Sequence, residues 1–306
     1  MRVVGADELR RALSMSAAID ALEIAFARDD PSLASPMRST LATPSGTLLT
    51  MPAAGDAGVG VKLVTLSEFN PQKGLPFVQA TYVLFDPETQ RPEAVIDGTE
   101  LTALRTAAVS GLATRLLARP DASRLIVFGA GVQGTAHLEA MAAVRPVREV
   151  VVVSRSAGPA EALAERARAL GLSARVGEPA DVATADLVCT CTTSAVSVFR
   201  GEDLAAGTHV NAVGAFLPDH RELDTEAIRR AKVVVETRRE ALAEAGDVLI
   251  PIAEGAIEAS HILADLTDLA RGAVVRTDPS DITVFKSVGM AYEDLVVARA
   301  ALDALG

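Results

Sequence analysis

The sequence predicts an α/β chain of two domains: a doubly wound parallel sheet with helices on both faces, and a smaller α+β unit. Three observations predict it. From Ser123 onward, short β-rich runs alternate with helical ones at strand, helix, strand spacing, which calls for a parallel sheet. Before that point, strand-like runs follow one another through turns, with a helical stretch on either side. The length of 306 residues agrees with two cores, at roughly 100–200 residues per domain.

Composition narrows the partners. Hydrophobic residues are 49% and charged residues 23%, as in an ordinary globular protein rather than a disordered chain. A formal charge of -11, with no dense Lys/Arg run, argues against nucleic acid. No apolar run reaches the roughly 18–20 residues a membrane span needs. The opening MRVVGADELRRALSMS lacks the apolar centre and cleavage pattern of a signal peptide, so a cytoplasmic location is expected. Cys189 and Cys191, two apart in LVCTCTT, have no further ligands at zinc spacing and read as buried small hydrophobes, so no metal is expected.

The elements follow in order. Residues 14–29 show helical spacing at Ile19, Leu22, Ala25 and Phe26, with Ser14 or Ser16 as N-cap. Strand-like runs TLLTMPAA, GVGVKLVTL, FVQATYVLFD and PEAVID come next, with DPETQ as a hairpin turn, and read as a small antiparallel sheet. GVGVKLVTL reads as a strand buried on both faces, yet Lys62 stands in its middle. The chain has only four lysines against twenty-five arginines. Burying an ammonium costs several kcal/mol unless an anion compensates it, so something negative is expected beside Lys62. A long helix over TELTALRTAAVSGLATRLLA carries the stripe Leu101, Leu104, Ala108, Leu112 and Leu116, stops at Arg119-Pro120, and sets Arg105 beside that stripe. The strands RLIVFG, EVVVVS, ARVG, ADLVCTCT, THVNAVG and AKVVVE then build the parallel sheet. DITVFKSVGMAYEDLVVARAAL closes the chain as strand, tight turn and amphipathic helix. The domains are expected at 119–286 for the parallel sheet, and at 1–118 plus 287–306 for the other.

The motif with most chemical content is Gly129-x-Gly131-x-x-Gly134 in LIVFGAGVQGTAHLEA, directly after a strand and before a helix. Gly129 permits the sharp turn, Gly131 lets backbone approach a pyrophosphate, and Gly134 lets the helix pack on the strand. With Val132 and Gln133, these residues place an anion on the helix N-terminus, in a Rossmann-type dinucleotide site. At the end of the second strand an NAD site has Asp or Glu for the ribose 2'-hydroxyl. Here Ser154, Arg155 and Ser156 stand there, which favours NADPH over NADH unless Arg155 simply faces solvent.

With these residues in view, the chain resembles the ornithine cyclodeaminase/mu-crystallin family over nearly its whole length. GVKLVTL, GLPFVQATYVLFD, DGTELTALRTAAVSGLAT, FGAGVQGTAHLEA, NAVGAF with RELD, EAGDVLIPI and ITVFKSVGMAYEDL carry the resemblance. It implies a homodimer whose first domain, joined by the C-terminal helix, binds substrate and dimerises. It also implies hydride chemistry at the carbon of an amino or imino acid. Carried over by position, the carboxylate-binding cations fall on Arg38, Lys62 and Arg105, the alternative for each being a salt bridge within the protein. Thr192, Ser194, Val213, Ser287 and Gly289 match positions near the nicotinamide, with strand-end capping as the alternative for the hydroxyls. Gln79 is expected to contact substrate and Thr81 the cofactor; Asn70 is a further candidate for the cleft.

Cyclodeaminases of this family have an acidic residue where Phe216 stands in Val213-Gly214-Ala215-Phe216-Leu217-Pro218-Asp219. The GAF form resembles members that reduce cyclic ketimines. The expected reaction is therefore reduction of a 2-imino acid, such as pyrroline-2-carboxylate or piperideine-2-carboxylate, to the L-amino acid, with Lys62 or a solution iminium supplying the proton. Two rivals stand beside it. One is ornithine cyclodeamination or alanine dehydrogenation; the other is a mu-crystallin-like protein that binds NADPH or a small ligand with little turnover.

Overall fold

The computed structural model describes the backbone of residues 1–306 and the side chains of all but 32, 33 and 71. The chain forms two compact units: Met1–Thr106 with Met290–Gly306, and Ala107–Gly289. Among the described residues no helix is long and apolar enough to cross a membrane.

The first unit starts with β1 (Arg2–Val4), α1 (Ala6–Ala12), α2 (Met15–Arg28) and α3 (Pro31–Ala34), followed by β2 (Ser39–Thr43), β3 (Gly46–Gly55), β4 (Gly58–Leu66), β5 (Val78–Phe85) and β6 (Pro92–Asp97). Ser14 caps α2 by accepting the Ala17 amide at 3.2 Å, and Ile19, Leu22 and Phe26 of that helix are fully buried. The six strands lie in the order β1-β6-β5-β4-β3-β2. All pairs are antiparallel except β1 with β6, which corrects the expected purely antiparallel sheet. Three residues of RVV are too few to show a period, so β1 leaves no sequence signal. The β5 to β6 turn is as expected, with Asp86 accepting the Glu88 and Thr89 amides.

One face of this sheet is buried and the other is open. Leu49, Met51, Lys62, Val64, Tyr82, Leu84 and Ile96 line the buried face. Leu63 on the other face is 40% exposed and Thr65 beside it is exposed, so β4 is not buried on both faces as its composition suggests. The valines that made it read so, Val59 and Val61, are only half-buried.

Helix α4 (Gly98–Leu117) contains the division between units, which falls between Thr106 and Ala107 rather than at the expected 118. Its last turns are tied into the second unit: Ser110 Oγ pairs with His137, Thr114 Oγ1 accepts from Asn211, and Arg145 donates to the carbonyls of Thr114, Arg115 and Ala118. An apolar stripe marks a helix without saying which core it serves.

The second unit runs β7 (Arg124–Phe128), α5 (Val132–Val144), β8 (Glu149–Val153), α6 (Ala157–Ala169), β9 (Ser173–Val176), β10 (Leu187–Thr190), β11 (His209–Ala212), α7 (Thr225–Arg230), β12 (Lys232–Val235), α8 (Arg238–Glu244), α9 (Gly246–Ala253), β13 (Ile262–Asp265), α10 (Leu266–Ala270) and β14 (Thr283–Lys286). Its sheet, β13-β12-β14-β11-β10-β7-β8-β9, is parallel throughout, and its central strands are buried on both faces. The chain turns outward from β7 in both directions, so β7 and β10 flank the switch point where ligands of such sheets bind. The last strand, β14, enters between β11 and β12. After it α11 (Ala291–Leu305) belongs to the first unit, packed on α2, β3 and β4.

Candidate active site

Lys62 and Arg105 meet in the first unit on one carboxylate. β4 turns Lys62 to the buried face, where its Nζ lies 2.8 Å from either oxygen of Asp294. Arg105, from α4, donates its Nε to the same Asp294 at 3.1 Å and a terminal nitrogen to Glu293 at 2.8 Å. The four side chains are at most 6% exposed. Burial, then the Arg105 charge, push the Lys62 ammonium down to about 8, against the pull of Asp294 and Glu293. The anion demanded by a buried lysine is thus present as a protein carboxylate, the alternative weighed for both cations.

Glu293 and Asp294 escaped the sequence reading. They stand in the first turn of α11, where the helix dipole favours negative charge. A signal was available in AYEDLVVA, two adjacent acids in an apolar helical run; every residue from Ala291 to Ala298 is buried, so those acids need cationic partners. Tyr82, opposite Lys62 on β5, is also fully buried, and its hydroxyl has no hydrogen-bond partner among the described residues.

Arg38 is half-buried and immediately precedes β2. The register Ser39 to Thr50, continued by one residue, sets Arg38 level with Met51, which pairs with Lys62, two strands away at about 10 Å. Gln79 and Thr81 are not brought to Lys62. They pair with Thr65 and Leu63 on the open face, one residue out of phase with it, because side chains alternate along a strand. Asn70 closes its own loop by donating to the Pro76 carbonyl at 3.1 Å.

In the second unit the glycine turn has the shape a pyrophosphate needs. Gly129 has φ +96°, and a Cβ there would lie 2.5 Å from the Cys191 carbonyl oxygen. A Cβ on Gly134 would lie 2.0 Å from the Gly129 oxygen, so these two are glycine for packing within the protein. A Cβ on Gly131 would meet nothing within 4 Å. Its missing side chain leaves the backbone open to the outside at the N-terminus of α5. Val132 is 63% exposed beside it, and Gln133 is half-buried. Ser154, Arg155 and Ser156 follow β8. Arg155 and Ser156 are exposed, and no ion pair holds Arg155 among the described residues.

The remaining expected residues stand on loops past the strand ends, held by buried carboxylates absent from the sequence reading. Glu222 accepts from the Thr190 hydroxyl at 2.9 Å, the Thr192 amide and hydroxyl at 2.7 Å each, and the Gly214 amide at 2.6 Å. Glu236 accepts from the Ser287 hydroxyl and from the Val288 and Gly289 amides, so Ser287 and Gly289 form an anchored turn. Ser194 donates to the Val196 carbonyl, and the Val213 amide to the Thr190 carbonyl. A second buried lysine, Lys286, pairs with Asp247 at 2.7 Å. Thr192 and Ser287 therefore spend their hydroxyls on loop architecture. Asp219 lies 80% exposed against His220, and Phe216 packs on the unit's core.

The sequence profile of the Ornithine cyclodeaminase/mu-crystallin family matches residues 2–305. The chain belongs to this family. Among members it is 37% identical to the "Delta(1)-pyrroline-2-carboxylate reductase" of Bacillus cereus (strain ZK / E33L), covering 98% of this chain and 95% of that one. It is 38% identical to the "Ketimine reductase mu-crystallin" of Mus musculus, over 97% and 94% of the two chains. The solved structure of the Thermococcus litoralis Delta(1)-pyrroline-2-carboxylate reductase, in complex with NADH and L-proline, superposes with TM-score 0.94 at 35% identity, over 99% of this chain and 97% of that one. The ornithine cyclodeaminase/mu-crystallin fold thus accounts for both units.

Proposed function

We propose that the chain is an oxidoreductase that reduces a cyclic ketimine or other 2-imino acid, such as 1-pyrroline-2-carboxylate, to the L-amino acid at the expense of NADPH or NADH. The observation that carries this reading is the likeness along the whole chain to reductases of such substrates, beside an open glycine turn in one unit and the buried cations Lys62 and Arg105, paired with Asp294 and Glu293, in the other. The relatives named above are reductases of such substrates.

Gly129, Gly131, Val132, Gln133 and Gly134 hold the pyrophosphate on the α5 N-terminus, and Arg155 takes the 2'-phosphate of NADPH. Reduced nicotinamide supplies the hydride. Arg38, Lys62 and Arg105 would bind the substrate carboxylate and orient the imine carbon for hydride attack, and positioning of that kind is worth roughly 7–11 kcal/mol of barrier. A proton must reach the imine nitrogen. Lys62 suits that role, since an ammonium brought down to about 8 still carries its proton at neutral pH and is a stronger acid than an ordinary lysine. Carbon gains the hydride, nitrogen the proton, and the C=N bond becomes C–N.

Phe216 weighs against cyclodeamination, because a phenyl ring neither accepts a proton nor steers water. The open sheet face of the first unit supports a homodimer: Val3 is 73%, Leu41 62% and Leu63 40% exposed there. The test is a panel of 1-pyrroline-2-carboxylate, piperideine-2-carboxylate, ornithine and alanine against both nicotinamide cofactors. Steady NADPH oxidation with a ketimine, lost in Lys62→Met and Arg105→Leu while cofactor binding persists, is expected. Proline and ammonia from ornithine, or cofactor binding without turnover, would replace this reading with one of its rivals.

A further inference from the structure

We propose that Glu222 is a positioning residue for the nicotinamide half of the dinucleotide, because its carboxylate joins the loops after β10 and β11 into one surface. This rests on the reading of the glycine turn as the pyrophosphate site and adds a residue to it.

In an open parallel sheet a dinucleotide lies across the point where the strand order turns, one half on each side. Here that point falls between β7 and β10. Arg155 past β8 marks the adenosine side, so the nicotinamide half falls to the loops past β10, β11 and β14. The first two of these are bound to each other through one side chain. Oε1 of Glu222 accepts from the Thr192 amide and hydroxyl, past β10, at 2.7 Å each. Oε2 accepts from the Thr190 hydroxyl on β10 at 2.9 Å, and from the Gly214 and Ala215 amides past β11 at 2.6 and 3.3 Å. A Cβ on Gly214 would lie 2.1 Å from the Thr192 carbonyl oxygen and 2.6 Å from Oε1 of Glu222, so the loops touch where the carboxylate joins them. The Thr192 loop also backs the glycine turn. The Cys191 amide donates to the Phe128 carbonyl at 2.7 Å, and a Cβ on Gly129 would lie 3.3 Å from Thr192 Cγ2.

Three backbone N–H groups, which can only donate, are shared between the two carboxylate oxygens. A side-chain amide in either orientation would set its NH2 against at least one of them, so a group that accepts through both atoms is required. Glu222 is itself fixed from behind. Asp247 accepts the Glu222 and Leu223 amides at 2.7 and 2.8 Å. Lys286, at the end of β14, pairs with Asp247 at 2.7 Å and donates to the Ala215 carbonyl at 2.6 Å. Glu222, Asp247 and Lys286 are at most 1% exposed, whereas Thr192 and Gly214 are only partly buried. Glu222 therefore acts through the loops that it holds.

Binding of NADPH and of 2',5'-ADP, the adenosine half alone, separates this role from a merely structural one. In Glu222→Gln the expected result is NADPH affinity at least about tenfold weaker, the worth of a hydrogen bond to a charged group, with 2',5'-ADP held within about twofold. Thr190→Val, an isosteric loss of one donor, should weaken NADPH by about threefold, and Thr190→Ser, which keeps the hydroxyl, should restore it. Unchanged NADPH affinity in both Glu222→Gln and Thr190→Val overturns the proposal. An equal loss for NADPH and 2',5'-ADP also overturns it, since Glu222 would then support the unit at large. If Glu222→Gln does not fold, the two Thr190 variants decide by the same criteria. Failure of the unaltered chain to bind either ligand removes the glycine-turn reading itself, a distinct result.

Discussion

Lys62 and Asp294 are 232 positions apart in sequence and 2.8 Å apart in space, one in the middle of an N-terminal strand and the other in the first turn of the last helix. Arg105 reaches the same carboxylate from a third element. The cluster is thus assembled from three distant segments, and both cations are fixed by carboxylates of the last helix.

Two glycines of one motif are expected to fail in different ways. Gly134→Ala places a Cβ 2.0 Å from a backbone oxygen and should destabilise the chain by about 1–3 kcal/mol or more, visible in urea midpoints. The Cβ of Gly131→Val meets nothing within 4 Å, so the urea midpoint should hold while dinucleotide affinity, followed by NADPH fluorescence, drops at least about tenfold. Equal affinity in Gly131→Val would remove the pyrophosphate from this turn.

Cofactor choice is expected to turn on Arg155. The side chain is exposed and follows β8. Arg155→Ser should leave stability within about 0.5 kcal/mol and lower the NADPH to NADH ratio of kcat/KM by about 10–100-fold, the worth of a charge-assisted contact of roughly 1.5–3 kcal/mol. An unchanged ratio would show that Arg155 merely faces water.

Acid sensitivity should come from two buried histidines. Burial is the main cause that holds His137 down at about 4 and His209 at about 3. Both values lie below those of the unfolded chain, so on acidification the unfolded chain binds protons first. The stability the two groups contribute is whole above about pH 6.5 and is lost as pH falls towards 4 and then 3. Between pH 6 and 5 the slope should approach about 2.7 kcal/mol per pH unit, two protons' worth, and His137→Gln should halve it. Urea unfolding across that range measures it; equal stability at pH 7 and 5 would contradict it.

Removing a polar atom from the core should cost nothing at one position. The Tyr82 hydroxyl is fully buried without a hydrogen-bond partner among the described residues. Tyr82→Phe keeps the ring and deletes the unsatisfied group, so thermal unfolding should show stability unchanged or raised by about 1–2 kcal/mol. A loss of more than about 1 kcal/mol would mean that this hydroxyl is bonded in solution.

Much of the fold was legible because its signals are local. The strand and helix around Gly129 and the Ser14 cap follow from neighbouring residues, and both are where the sequence puts them. What failed to show were features without a period or with a distant cause: the three-residue β1, the open face of β4, and the division of α4 between two units. The apolar pattern of β4 reports what the strand can bury, not what covers it in a single chain.

The sequence by itself determined that a scarce lysine in an apolar strand requires a negative partner, and that a glycine-rich turn between strand and helix suits an anion. Both follow from the cost of burying charge and from the sterics of a few adjacent residues. Only the tertiary structure decided that the partners are Asp294 and Glu293, and that Gln79 and Thr81 face away from Lys62. Charge compensation acts through space over a few ångströms, so its members are chosen by which strands and helices the fold brings together.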